Sequence, residues 1–264
     1  MLRGHDGVPT STLLVLWQKP ENRAMVPVAK LSYDADRYFF DYLPAAKTEA
    51  SFRPLMGFRD LDEHYESDEL FPLFHERVMD PARDDFRRVV EGLDLDPDSA
   101  TPWEQLSRSG GGSEGDTLQV TPIPHETAEG WACRTLLSGL RYFEKKSVQT
   151  QEGRTNPYSS SDHEKVLASI RPGDHLRLRR EIGNSYNPSA VLVFTEDDHV
   201  VGYLPDWLAR FVGPVLDEEI ITAQVDRVNP SRAGWHLRLL VTVASTESFD
   251  VALDRLRGGA ALQY

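Results

Sequence analysis

One cysteine, Cys133, stands in 264 residues. A single thiol excludes a disulfide framework within the chain and excludes a four-cysteine metal site. Such sparing use suits a reducing cytoplasm, which is the expected location. Long apolar runs are missing too. Leu13–Trp17 is far shorter than a bilayer span, and it lacks the basic flank and cleavage site of a signal peptide. No membrane partner is expected. Positive charge is in short supply, with 29 Lys+Arg against 42 Asp+Glu and a net charge of -13. That balance argues against wholesale electrostatic binding of nucleic acid or of an anionic membrane. Internal repeats and low-complexity tracts are absent.

Catalytic signatures are equally scarce. The eight histidines are scattered and none falls at a metal-ligand spacing. Gly111-Gly112-Ser113-Glu114-Gly115 spells a nucleophile elbow but has no strand before it, so the Gly110-Gly111-Gly112 run reads as a loop. His64 and His75 bracket acids that suit a helix start. No enzyme activity, metal or cofactor is expected.

What is present describes a globular protein, with 40% hydrophobic and 27% charged residues. The charge is uneven. Residues 1–137 hold 14 Lys+Arg and 25 Asp+Glu, a balance of -11, whereas residues 138–246 hold 13 and 14, a balance of -1. A polyanion site therefore belongs in the second half. Strands are predicted at Leu13–Trp17, Met25–Tyr33, Tyr38–Leu43 and Leu118–Ile123. Leu70, Phe71, Phe74 and Val78 line one face of a helix predicted over Asp68–Met79, whose start Pro72 limits. A second helix follows Pro81 and a short third one starts near Pro102. Later come a helix over Ser161–Ile170, strands through Gly173–Leu204, a helix over Pro205–Leu216, and strands Ile220–Asn229 and Trp235–Ser245. The expected domains are residues 11–130 and 131–246, with 247–264 as a tail.

The most informative stretch is Gly173–Leu204. A strand ends in Arg177, Arg179 and Arg180, and the turn that follows carries Asn184, Tyr186 and Asn187 before the chain returns through Val191–Phe194 to Gly202-Tyr203. Guanidinium groups offer charge to phosphates, amides offer bonds to sugar or base edges, and rings offer a face on which a base can lie. Each residue also has a plainer use. Arg141 and Tyr142 can form an edge pair with a snorkelling arginine. Asn184 and Asn187 can serve only to build the turn. Tyr186 and Tyr203 can plug the core. Arg177 and Arg179 share one strand face, which a solvated surface explains as well as a phosphate path does.

Three blocks carry a resemblance: Gly139-Leu140-Arg141-Tyr142-Phe143; Arg179-Arg180-Glu181 with Asn184-Ser185-Tyr186-Asn187-Pro188-Ser189-Ala190-Val191; and Val201-Gly202-Tyr203-Leu204. Together, over roughly Leu140–Val243, they resemble the HIRAN domain. The resemblance implies a small β-barrel with one or two helices that binds single-stranded DNA and holds its 3′ end in a pocket. It places Arg141 at a phosphate, Tyr142 at a base, Asn184, Tyr186 and Asn187 at the terminal nucleotide and Tyr203 across the pocket, with Phe143 and Arg180 among the nucleic-acid-binding residues. Three departures stand out. Asn187 replaces a usual aspartate and accepts a hydrogen bond more weakly, Pro205-Asp206 replace a frequent lysine, and Phe143 replaces a tyrosine of some relatives.

Tyr65–Pro72, Arg77-Val78-Met79 and Leu106–Gly111 resemble the N-terminal subdomain of HipA-type toxins, with none of the kinase motifs such toxins carry. The expected fold class is therefore α+β, an acidic mixed N-terminal domain followed by a HIRAN-type barrel. The expected function is non-enzymatic recognition of single-stranded DNA or DNA 3′ ends, in repair or defence. The alternative is a protein-interaction or toxin-antitoxin accessory module, in which the acidic first half docks a protein partner.

Overall fold

Apolar runs rich in β-branched and aromatic residues, buried continuously at Leu13–Trp17 and Met25–Ala29, lay down the first sheet. Its strands are β1 (Ser11–Gln18), β2 (Met25–Asp34), β3 (Arg37–Tyr42), β4 (Tyr65–Ser67) and β5 (Leu118–Pro122), ordered β4-β3-β2-β1-β5 and antiparallel throughout. The computed structural model describes residues 11–21, 25–34, 36–111, 117–144, 146–155, 157–185, 187–218 and 220–252. One face of this sheet buries Val15, Val28, Leu31 and Phe40 against Phe58, Phe74, Trp103 and Leu106. The Phe40 and Phe58 rings stack with centroids 3.8 Å apart.

Four short helices lie in the same stretch of sequence: α1 (Pro44–Thr48), α2 (Pro72–His75), α3 (Phe86–Gly92) and α4 (Pro102–Ser109). The helix expected over Asp68–Met79 shrinks to α2. Phe71 precedes a proline and is held extended at ψ 140°, so no helix can run through it. α4 begins with a reciprocal cap, in which Thr101 accepts from the Glu104 amide and Glu104 accepts from the Thr101 amide.

The chain divides into two compact units. The first comprises residues 1–87 and 95–123, and the second residues 88–94 and 124–264. The second unit holds β6 (His125–Thr127), β7 (Gly130–Leu136), a 3-10 turn (Leu140–Glu144), the hairpin strands β8 (Val148–Gln149) and β9 (Arg154–Thr155), and α5 (Ser160–Ser169). It continues with β10 (His175–Arg180), β11 (Val191–Phe194), β12 (Val200–Tyr203), α6 (Asp206–Val212), β13 (Ile221–Val228) and β14 (Leu239–Ser245). Seven of these strands form one antiparallel sheet in the order β12-β11-β10-β13-β14-β7-β6.

That order corrects the expected barrel. Among the described residues β12 and β6 end the sheet and do not pair with each other. Among the described residues the chain leaving β7 pairs with β12 through one bridge, Ser138 to Tyr203, with both amide-to-carbonyl bonds at 2.9 Å. Gly139 follows with φ +66°, a left-handed turn that carries the backbone away before a ladder can form. The fold is a mixed α and β architecture of open antiparallel sheets.

Residues 88–94 are bound into the second unit by polar contacts. Asp94 receives Arg134 at 2.5 Å and Arg227 at 2.9 Å, while Arg134 also bonds Asp226 at 2.7 Å. The buried Asn229 amide donates to the Gly92 carbonyl at 2.6 Å. Burial of Asp94 works to raise its pKa, but the two guanidinium groups outweigh it and hold the carboxyl below its ordinary value. An acid with a depressed folded pKa stabilises above its unfolded pKa of about 3.9 and loses that contribution as pH falls through the folded value. Urea titrations from pH 6 to pH 2 should therefore show Asp94→Asn converging on the parent below about pH 4. The gap should be modest, because this carboxylate is more than a third exposed.

Candidate nucleic-acid interface

Strand alternation sorts the arginines. Cross-strand partners share a face, and the register sets Arg179 opposite Leu192, which in turn lies opposite Tyr203. Arg179 therefore lies on the Tyr203 side, its guanidinium carbon 4.7 Å from the Phe194 ring centroid, and it bonds Asp198 at 2.6 Å. Arg177 reaches the same carboxylate at 3.3 Å. Arg180 points to the opposite face, where it bonds the Gly213 carbonyl and lies 3.3 Å from Asp217. Arg171 is occupied by the Ala168 and Ile170 carbonyls. The arginine cluster of the sequence is thus split and mostly engaged within the fold.

A small apolar core lies on the Tyr203 side, made of Phe143, Val148, Leu192, Phe194 and Val200 with Tyr158 and Tyr203 packed against it. Phe143 is fully buried, and its ring stacks under Tyr203 at 5.2 Å. It props the site from beneath and presents no surface to a ligand. Tyr142 is the reverse case, 60% exposed. Arg141 is exposed beside it and has no ion pair or side-chain hydrogen bond among the described residues. Gly139 leaves room for both tyrosine rings beside its backbone. A Cβ there would stand 2.8 Å from the Tyr203 ring and 3.1 Å from the Tyr142 ring.

Above this core sits a polar network centred on Glu181, whose side chain is only 4% exposed. Lys146 binds one carboxylate oxygen at 2.8 Å. The other oxygen accepts from the Tyr203 hydroxyl at 2.9 Å and from the Asn184 amide at 2.6 Å. Burial first, then the charge of Glu181 and the bond to it, push the Tyr203 hydroxyl well above the ordinary tyrosine range. Tyr203 is therefore a neutral donor at physiological pH.

The turn is organised from the same network. The Asn184 side-chain carbonyl accepts from the Asn187 amide at 3.0 Å. The Asn187 side chain accepts from the Ser189 amide at 3.0 Å and donates to Asp206 at 2.7 Å. Asp206 is gripped in turn by Arg210 at 3.1 Å. Both amide groups of Asn187 are thus engaged in holding the turn, with one carbonyl lone pair to spare.

Of the eight residues singled out from the sequence, Phe143, Tyr203, Asn184 and Asn187 form one group connected through Glu181, and Tyr142 lies near it across Gly139. Arg141 flanks it on the exposed side, Arg180 lies on the other face of the sheet, and Tyr186 is outside the described residues. Glu181 and Lys146, which tie the group together, escaped sequence reasoning. Glu181 reads as one more charge after an arginine run, and only its burial reveals its role. Cys133 is fully buried in β7, and that burial pushes its thiol up to about 12, which makes it inert. Among the described residues no group of three or more His, Cys, Asp or Glu side chains could hold a metal ion, and no helix is long and apolar enough to cross a membrane.

Residues 132–246, rather under half of the chain, match the family model of the HIRAN domain, a non-catalytic module. Two solved structures are similar in part. One is the HIRAN domain of human HLTF, at 17% identity over 48% of this chain and 87% of that chain, with a TM-score of 0.31. The other is a protein from Lactobacillus plantarum, at 20% identity over 42% of this chain and 96% of that chain, with a TM-score of 0.29. No curated protein matches. The family match begins at Ala132, so the HipA resemblance of the first half gains no support from it.

Proposed function

We propose that the HIRAN-type region binds single-stranded DNA or DNA 3′ ends, without catalysis, in a repair or defence setting. The strand would lie across Arg141, Tyr142, Asn184, Asn187 and Tyr203. The observation that carries this reading is the exposed Tyr142 ring near Tyr203, with Arg141 exposed next to it and bound to no side chain among the described residues. An exposed large aromatic beside a free guanidinium is what base stacking and phosphate contact both need. Few phosphates can be neutralised by so acidic a chain, so binding should be modest and fall with salt along a shallow slope.

Fluorescence anisotropy with labelled oligonucleotides at low salt tests this directly. Tyr142→Ala should weaken binding by about 1–3 kcal/mol, or roughly 5- to 150-fold, with the fold unchanged. Competition between strands with free and dideoxy-blocked 3′ ends then reads end preference, which the commitment of Asn187 to its own turn should make small. Absence of binding by the parent chain at low salt removes the proposal.

A second reading draws on the first unit. There a cavity of about 640 Å³ is lined by Tyr38, Asp68, Glu69, His75 and Glu76. Carboxylates around an aromatic ring suit a basic protein segment. Recovery of a stoichiometric protein partner free of nucleic acid would favour that reading.

A further inference from the structure

Beside the Tyr142 surface, and sharing Glu181, Lys146 and Asn184 with the polar network, the β8–β9 hairpin and residues 181–185 line a cavity of about 280 Å³ that Tyr142 does not enter. A backbone bond from the Ile182 amide to the Gln149 carbonyl, 2.7 Å long, joins the two walls. The charged groups on the lining are Lys146, Arg154 and Glu181, two cations against one carboxylate. The carboxylate is already answered on both oxygens, by Lys146, Tyr203 and Asn184. Glu152, at the hairpin tip, is drawn off toward Arg179 at 3.7 Å.

The donors, by contrast, are in surplus. Arg154 is exposed and has no ion pair or side-chain hydrogen bond among the described residues. The hydroxyls of Ser147 and Ser185, both on the lining, also lack partners there. Lys146 gives one bond to Glu181 and one to the Tyr203 hydroxyl, which leaves a third ammonium proton. A small cavity with spare donors, one net positive charge and its only carboxylate already bonded on both oxygens fits a compact, acceptor-rich anion. The volume falls just below the usual range of small-molecule sites, which suits a single phosphorylated group.

We infer that this cavity binds a phosphate monoester, presented as the phosphorylated end of a nucleic-acid strand, with Arg154 as the forked donor and Ser147 and Ser185 as hydroxyl donors. This rests on the DNA-binding reading only for the source of the phosphate, and the experiment separates the two. One oligonucleotide sequence is titrated into the full chain in three forms: unphosphorylated, 5′-phosphorylated and 3′-phosphorylated. A phosphorylated form should bind about tenfold tighter than the unphosphorylated one. Arg154→Ala should abolish that gain without changing affinity for the unphosphorylated strand, and Tyr142→Ala should do the converse. In parallel, inorganic phosphate is titrated against the backbone amide resonances of Ser147 and Gly183. Shifts that saturate in the parent and vanish in Arg154→Ala support the cavity even if no oligonucleotide binds. Saturating shifts with no preference among bound oligonucleotides keep the phosphate site but overturn the strand-end assignment. No shifts and equal affinity for all three strands overturn the inference outright.

Discussion

Phe143→Ala is expected to destabilise the second unit by about 3–5 kcal/mol, the range for emptying a fully buried phenylalanine site. The ring has no exposed surface, and its removal leaves a hole lined by Val148, Leu192, Phe194 and Val200. Little can collapse into that space, because the lining residues sit on strands held by their own ladders. The change also takes away the ring on which Tyr203 is stacked. Urea unfolding followed by tryptophan fluorescence reads the loss. Phe143→Leu, which keeps most of the volume, should cost less than about 1.5 kcal/mol. If the alanine variant lost under 1 kcal/mol, the small core would not be packed as described. DNA affinity should drop in the alanine variant as well, through displacement of Tyr203 rather than through a lost contact.

Glu181→Ala should cost about 3 kcal/mol, the low end of the range for breaking a buried ion pair. The low end applies because the Lys146 side chain is 42% exposed and water can reach the ammonium once its partner is gone. Three donors lose their acceptor together: the Lys146 ammonium, the Tyr203 hydroxyl and the Asn184 amide. Tyrosinate absorbance offers a readout that mere instability would not move. Without the nearby carboxylate, Tyr203 should ionise at lower pH than in the parent, while its burial still keeps it above free tyrosine. Glu181→Gln should retain part of the stability and show the same direction of shift. An unchanged tyrosine titration in both variants would mean that the carboxylate does not act on that hydroxyl.

The strand pattern was largely legible. Val191–Phe194 and Val200–Tyr203 read as strands because they are short apolar runs bounded by turn residues, and they form β11 and β12. Three things were not. Helix length around Pro72 depends on the backbone of Phe71, and apolar spacing alone does not report it. Closure of the sheet is decided at its ends, where one glycine with positive φ limits contact to a single bridge, and no periodicity carries that information. The part played by Glu181 follows from burial, which converts an ordinary surface acid into the hub of three side chains. The arginines misled for a related reason. A run of like charges in sequence alternates between the two sides of a strand, so Arg179 and Arg180 part company.

The seven residues from Arg88 to Asp94 have a practical bearing on any attempt to isolate the matched region. A fragment cut at Trp131 would look complete by its family boundaries, yet it would lack the carboxylate that Arg134 and Arg227 share and the carbonyl that Asn229 holds. Arg134, Arg227 and the buried Asn229 amide would each lose one partner and keep only Asp226, Asn229 and the Leu237 carbonyl respectively. Excision at the obvious border should therefore yield a sticky, poorly behaved product, and a graft that restores the short peptide should rescue it.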